Sequence, residues 1–226
     1  MSTLELRDVT LTLPDRRLLG PLSMSVVSGE VLSLLGPSGV GKSSLLAFVC
    51  GVLPRALTAS GCVVLDGEDV TSLPPQRRRV GILFQDDLLF PHLSVGGNLA
   101  FGLRTIERSR RQRARLIDET LDAIGLAGFA ARDPATMSGG QRARVALLRV
   151  LLSGPRALLL DEPFAHLDAQ TRRQTREFVF EEVRRRQLPT LLVTHDPDDV
   201  HAAGGACVKL TAADGESTCS MHDSSR

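Results

Sequence analysis

A chain of 226 residues with 42% apolar side chains can build one large domain or two small lobes around a real core, which excludes wholesale disorder. A formal charge of +1 argues against nucleic-acid binding through a general basic surface, and the lack of Trp and Tyr removes the usual base-stacking platforms apart from Phe. No apolar run reaches the roughly 18 residues that a membrane-spanning helix requires, so work at a membrane would need another chain to supply the pore.

The start, Met1 to Leu13, alternates apolar and polar residues (Leu4, Leu6, Val9, Leu11, Leu13), as a half-buried strand does, and carries no secretory apolar core. Four later runs lose that alternation: Val31–Leu35, Val80–Phe84, Ala157–Leu160 and Thr190–Thr194. Runs of this kind read as strands of a parallel sheet covered on both faces. Each stops before a polar or glycine position suited to phosphate or metal chemistry, respectively Gly36, Gln85, Asp161 and His195. Ligands of open α/β sheets bind at the carboxyl ends of strands, so these four termini are expected to share one crevice. From about Leu88 to Arg149 the pattern changes. Ala114, Ile117, Leu121 and Ile124 recur at helical spacing and Gly125 is placed as a stop, which predicts a helical lobe inserted into the α/β core. Residues 212–226 are short and polar and are expected to fray.

Cys50, Cys62, Cys207 and Cys219 share no metal-ligand spacing and read as ordinary thiols of a reducing cytoplasm. The arginine clusters at Arg77–Arg79, Arg108–Arg115 and Arg184–Arg186 are balanced by acids and are expected on solvated helix faces and loops. His92, His166, His201 and His222 form no metal spacing and read as structural or exposed.

Gly36-Pro37-Ser38-Gly39-Val40-Gly41-Lys42-Ser43 follows a predicted strand and precedes the apolar helix Leu45–Val49, with Ser44 next in line. This is the context of a phosphate-binding loop. Its glycines let backbone N–H groups turn inward, Lys42 places a charge on the β- and γ-phosphates, and the Ser43 hydroxyl suits a Mg²⁺ ligand position. Asp161 ends a buried strand, where it fits the carboxylate that holds Mg²⁺; Glu162, one residue on, could polarise an attacking water. Ser138-Gly139-Gly140-Gln141 is a capping box and an anion site at once, because Ser138 and Gln141 can satisfy each other's backbone N–H while the helix end faces outward. His195 precedes Asp196-Pro197 and is placed to touch a γ-phosphate or the water.

In order and spacing these motifs resemble the ATP-binding subunit of ABC transporters from about Leu4 to Leu210. The resemblance implies a P-loop NTPase (RecA-like) α/β core with a mainly parallel sheet, an N-terminal antiparallel β portion and an inserted helical lobe. The expected layout is a single domain over 4–226, with the core in 4–87 and 150–211 and the lobe in 88–149. It implies that ATP and Mg²⁺ are bound, that Gly36–Ser43 is the Walker A loop, Gln85 the Q-loop glutamine and a metal ligand, and Ser138–Gln141 the signature. Asp161 would be the Walker B aspartate, Glu162 the catalytic glutamate, Asp168 the D-loop acid and His195 the switch histidine. Such cassettes pair head to tail, so a second copy would lend its signature to the ATP held on the Walker A loop.

Phe90-Pro91-His92-Leu93-Ser94-Val95 and Asn98-Leu99-Ala100-Phe101-Gly102-Leu103 look most like short cassettes of bacterial importers served by binding proteins, and the long Gly51–Ser60 stretch is similar to a poorly characterised branch of them. The expected partners are integral-membrane permease subunits and a periplasmic or lipid-anchored substrate-binding protein, with no nucleic acid. The expected location is the cytoplasmic face of the inner membrane, held peripherally, and no additional regulatory domain is expected. Three departures stand out. Leu13 takes the place of an adenine-stacking aromatic, Ala165 replaces a D-loop serine, and Gly97 replaces an acid that would complete a capping box with Ser94, a loss of about 1 kcal/mol in local helix stability. The rival readings are an exporter or lipoprotein-release cassette, a soluble ABC ATPase of DNA repair or translation, and a P-loop kinase or GTPase, which would leave Ser138–Gln141 unexplained.

Overall fold

The computed structural model describes residues 2–103 and 109–210 and the backbone of 219–222. Along the chain run β1 (Thr3–Thr12), β2 (Arg17–Val27), β3 (Val31–Leu35), α1 (Lys42–Cys50), β4 (Thr58–Leu65), β5 (Glu68–Asp69), α2 (Pro75–Arg78) and β6 (Val80–Leu83). There follow α3 (Val95–Gly102), α4 (Arg110–Asp122), α5 (Gly139–Leu152), β7 (Ala157–Asp161) and α6 (Ala169–Arg186). β8 (Thr190–Thr194), α7 (Pro197–Ala203), β9 (Cys207–Leu210) and β10 (Cys219–His222) complete the order. Two sheets result, one ordered β2-β1-β4-β5 and one ordered β10-β9-β3-β8-β7-β6.

The sheets differ as their sequences do. In β1 and β2 buried and outward positions alternate over much of their length, and both pairings of β1, with β2 and with β4, are antiparallel. In β7 and β8 nearly every residue is buried, and β3–β8, β7–β8 and β3–β9 pair in parallel. The expected strands β3 and β8 have the expected ends; β7 extends to Asp161, whereas β6 stops at Leu83 and leaves Phe84 outside, 41% exposed. β9 and β10 pair antiparallel, so the tail expected to fray contains a paired backbone at Cys219–His222. The rest of it, 212–218 and 223–226, lies outside the described residues, as do 104–108 with Arg108.

The chain divides into two compact units: Met1–Ile82, Arg156–Glu162 and Phe180–Arg226 form the first, and Leu83–Pro155 with Pro163–Val179 form the second. The first is built on a core that includes Leu11, Leu34, Leu45, Leu46, Leu65 and Leu159. The second is built on Val95, Leu99, Ile117, Leu121, Val145 and Leu148, drawn from α3, α4 and α5. Beyond the residues 88–149 expected for the lobe, this unit also takes in 83–87, 150–155 and 163–179, and Phe178 packs against its core. α4 starts on a complete capping box, Ser109 with Gln112, and Gly125 follows at φ 73, as its spacing predicts. At α3 only half of the box forms, with Ser94 Oγ accepting from Gly97 N at 3.1 Å.

One arginine departs from the expected solvated clusters. Arg78 is 5% exposed. Its guanidinium donates to the carbonyls of Phe48 (2.7 Å) and Val49 (3.0 Å) in the last turn of α1, to Leu73 O (2.8 Å) and to Thr71 O. Five N–H donors in a planar fork suit this work, and a cation at a helix C-terminus meets the negative end of the helix dipole. Burial lowers its pKa, with Cys50 and Asp69 pulling the other way.

Candidate functional site

The loop after β3 is shaped by Gly39 (φ 83) and Gly41 (φ 97), in the left-handed region that glycine enters without strain, and α1 opens directly at Lys42. Its N-terminal N–H groups carry no side-chain cap. Lys42 is 4% exposed, and its Nζ donates to Gly36 O (2.7 Å) and Pro37 O (2.8 Å), carbonyls of its own loop. Burial pushes the ammonium pKa down, against the pull of Glu162 and Asp161. A charged group held at this cost is relieved by an incoming anion. Leu18, Ser38, Gly39, Lys42, Ser44 and Glu162 line an open cleft over the loop, and Val40 is buried beneath.

Strand register brings the next residues to this place. Leu35 lies opposite Thr194 across β3–β8, and Asp161 opposite Val193 across β7–β8, so three strand ends finish side by side. Glu162 N donates to Val193 O (2.9 Å), and its φ of 47 turns the chain sharply away from the sheet. Asp161 Oδ1 accepts from Ser43 Oγ at 3.1 Å. Burial raises the Asp161 pKa; Ser43 opposes this, Glu162 adds to it and Lys42 opposes it. Two hard oxygens side by side, with a carboxylate that is costly to ionise, make a donor set that fits Mg²⁺. Glu162 Oε2 lies 2.9 Å from His195 Nδ1. A carboxylate paired with an imidazole at the end of a phosphate cleft can orient and deprotonate a water.

The remaining predicted site residues belong to the second unit. Ser138 N-caps α5, with both capping-box bonds present: Gln141 N donates to Ser138 Oγ (3.3 Å) and Ser138 N to Gln141 Oε1 (3.0 Å). Arg142 holds this turn through Met137 O (2.9 Å) and pairs with Asp87 (2.9 Å). Gly139 faces Leu167, and Gly140 lies so close to Thr171 that a Cβ would come within 2.3 Å of its Cγ2. Asp168 accepts from Thr171 N (3.1 Å) at the start of α6, and these Thr171 bonds hold its carboxyl below the usual range. Gln85 Nε2 lies 2.9 Å from His166 Nε2.

The loop, Asp161, Glu162 and His195 are thus brought together within the first unit, whereas Gln85, Ser138–Gln141 and Asp168 form local structures of the second. Sequence reasoning missed Arg78, Arg142 and His166. Nothing in spacing marks them, since each partner lies far off in sequence or is a backbone carbonyl.

Residues 19–165 match the family described as ABC transporter. The chain is 46% identical over 197 residues to an uncharacterized ABC transporter ATP-binding protein of Escherichia coli strain K12, covering 87% of this chain and 90% of that one. It is 44% identical over 181 residues to a sulfate/thiosulfate import ATP-binding protein of Nocardia farcinica, covering 80% of this chain and 54% of the relative. It is 41% identical over 207 residues to an Fe(3+) ions import ATP-binding protein of Pasteurella multocida, covering 92% and 58% respectively. The chain therefore spans little more than half the length of these two import proteins.

Proposed function

This chain belongs to the ABC transporter family as an ATP-binding, ATP-hydrolysing subunit, and from that premise we propose that it powers import through a separate integral-membrane permease. The observation that carries the reading is the glycine-shaped loop at Gly36–Ser44 that opens α1, with Asp161, Glu162 and His195 at the neighbouring strand ends. No helix among the described residues is long and apolar enough to cross a membrane, which agrees with a pore made by other chains. Two relatives named for import of sulfate/thiosulfate and of Fe(3+) support import over export.

In this reading the N–H groups of Gly39–Ser44 hold the phosphates and Lys42 exchanges its loop carbonyls for the β- and γ-phosphate oxygens. Ser43 and Asp161 would hold Mg²⁺, with Gln85 assigned to the same ion by resemblance; when bound it would supply positive charge beside the phosphates. Glu162 takes the proton of the attacking water while His195 holds the carboxylate in place. Ser138–Gln141 of a second copy closes over the γ-phosphate, with Asp168 at the same junction. ATP favours the closed pair because it binds that state more tightly, and hydrolysis removes the difference. The subunit then works peripherally at the cytoplasmic face of the inner membrane, with a periplasmic or lipid-anchored binding protein delivering substrate.

The test is co-expression with the permease encoded beside its gene, followed by ATPase assay in vesicles. Co-purification and stimulation of hydrolysis by a ligand-loaded binding protein are expected. Unchanged turnover with every neighbouring binding protein, or stable association with no multi-span partner, overturns the importer reading.

A further inference from the structure

The cleft formed within the second unit contains Gln85, Asp86, Asp87, Arg142 and His166. Its two acids have different partners. Asp87 is taken by Arg142 at 2.9 Å, whereas Asp86 Oδ1 faces His166 Nδ1 at 3.4 Å. The opposite ring nitrogen, Nε2, meets the amide nitrogen of Gln85 at 2.9 Å. With the Gln85 amide nitrogen turned toward it, ring Nε2 accepts and the ring proton sits on Nδ1, the nitrogen that faces the carboxylate; the amide turned the other way would pair with an Nε2–H ring instead. The carboxylate of Asp86, 3.4 Å from Nδ1, favours the first arrangement, in which Gln85 donates to His166 and the acid stands beside the ring proton. The amide carbonyl of Gln85 is left over, and it is the only atom of that side chain able to bind a cation or accept from water.

We propose that His166 is a positioning residue that, backed by Asp86, fixes which end of the Gln85 amide is offered to the reaction. A carboxamide presents a donor face or an acceptor face depending on a half-turn of one bond, and a free glutamine samples both. With its nitrogen tied to His166, Gln85 presents oxygen from the outset, which removes a reorientation step from catalysis. The inference rests on the reading of Gln85 as an oxygen donor, but the arrangement itself involves no nucleotide and can be observed without one.

The first measurement is a long-range ¹H–¹⁵N correlation of the ring nitrogens in the full-length, nucleotide-free protein. The Nδ1–H tautomer is expected for His166, and its population should fall in Asp86→Ala, which removes the carboxylate beside that nitrogen. An Nε2–H ring in the parent protein overturns the proposal. The second is a double-mutant cycle on ATP hydrolysis. His166 is 61% exposed at its side chain, so replacement leaves the fold intact. His166→Leu should lower kcat about 3- to 10-fold and raise the Mg²⁺ concentration for half-maximal rate, with KM for ATP unchanged, the size expected of one neutral hydrogen bond. His166→Gln, which can still accept from Gln85, should recover most of the loss. In the Gln85→Ala background, His166→Leu should cost nothing more; equal losses in both backgrounds overturn the positioning role. If Gln85→Ala alone leaves rate and Mg²⁺ dependence unchanged, the oxygen-donor reading of Gln85 falls and takes this proposal with it.

Discussion

His195 Nδ1 lies 2.9 Å from Glu162 Oε2, and the glutamate that it touches occupies a left-handed backbone at φ 47. A non-glycine residue held there stores about 1–3 kcal/mol of strain. The surrounding sheet sustains it, since Glu162 N is tied to Val193 O and Asp161 is in register with Val193. The turn points the carboxylate over the cleft instead of along the strand. Glu162→Gln keeps the shape and loses the base. ATP binding should persist while turnover falls roughly 10²–10⁴-fold, and adding His195→Ala should cost far less in that background than in the parent, because the two act as one unit. Steady-state hydrolysis and equilibrium ATP binding measure both. Undiminished turnover in Glu162→Gln would refute the assignment.

Lys42 is held by two loop carbonyls in a nearly closed environment. Lys42→Ala removes a charge-assisted contact to the phosphates. ATP affinity should fall roughly 10- to 150-fold, corresponding to about 1.5–3 kcal/mol, with hydrolysis lost in parallel. Titration calorimetry decides; unchanged affinity would separate the loop from the nucleotide.

The raised pKa of Asp161 has a consequence for stability. The folded protein holds this proton more tightly than the unfolded chain does, so the favourable contribution is complete below the ordinary carboxylate pKa and is lost as pH rises through the higher folded value. Asp161→Asn keeps an acceptor for Ser43 Oγ and carries no charge. In metal-free buffer it should melt above the parent at neutral pH, and the gap should close as pH falls through the carboxylate range. Added Mg²⁺ with ATP should stabilise only the parent. Thermal melts across pH test this, and a variant less stable at neutral pH contradicts it.

Gly140 has a packing reason to be glycine that is independent of any ligand. A methyl there would meet Thr171 Cγ2 at 2.3 Å, inside any allowed contact. Gly140→Ala should cost about 1–3 kcal/mol. Thr171→Ser removes the obstructing methyl, so the double variant should recover most of that loss; additive losses in urea unfolding would show that the clash is not the cause.

Arg78 bridges the end of α1 to the Thr71 and Leu73 carbonyls. Arg78→Lys keeps the charge but supplies a point donor in place of a planar fork, leaving buried carbonyls unpaired. A loss of roughly 2–4 kcal/mol is expected, together with weaker ATP binding because α1 carries Lys42 and Ser43 at its other end. Urea unfolding and ATP titration of the same sample check the two effects together.

What the chain declared by itself is local. Val31–Leu35 and Thr190–Thr194 are buried nearly throughout, so composition over five residues is enough to identify them as interior strands, and Gly36 and His195 mark where they end. The Ser138–Gln141 box was equally readable, because a cap involves atoms only three residues apart. The limits of the second unit were less so: residues 163–179 join it through packing against α5, which no periodicity reveals.

The tertiary structure alone decided which polar side chains work in pairs. Arg78 stands between Arg77 and Arg79 with nothing in the pattern to set it apart, yet it is the buried one, because only folding brings the end of α1 to its guanidinium. Gln85 and His166 are separated by 81 residues and meet at 2.9 Å. A charge or an imidazole reads the same in sequence whether water or protein surrounds it. The partner that gives it a function is selected by long-range packing, and that information is distributed over the whole core.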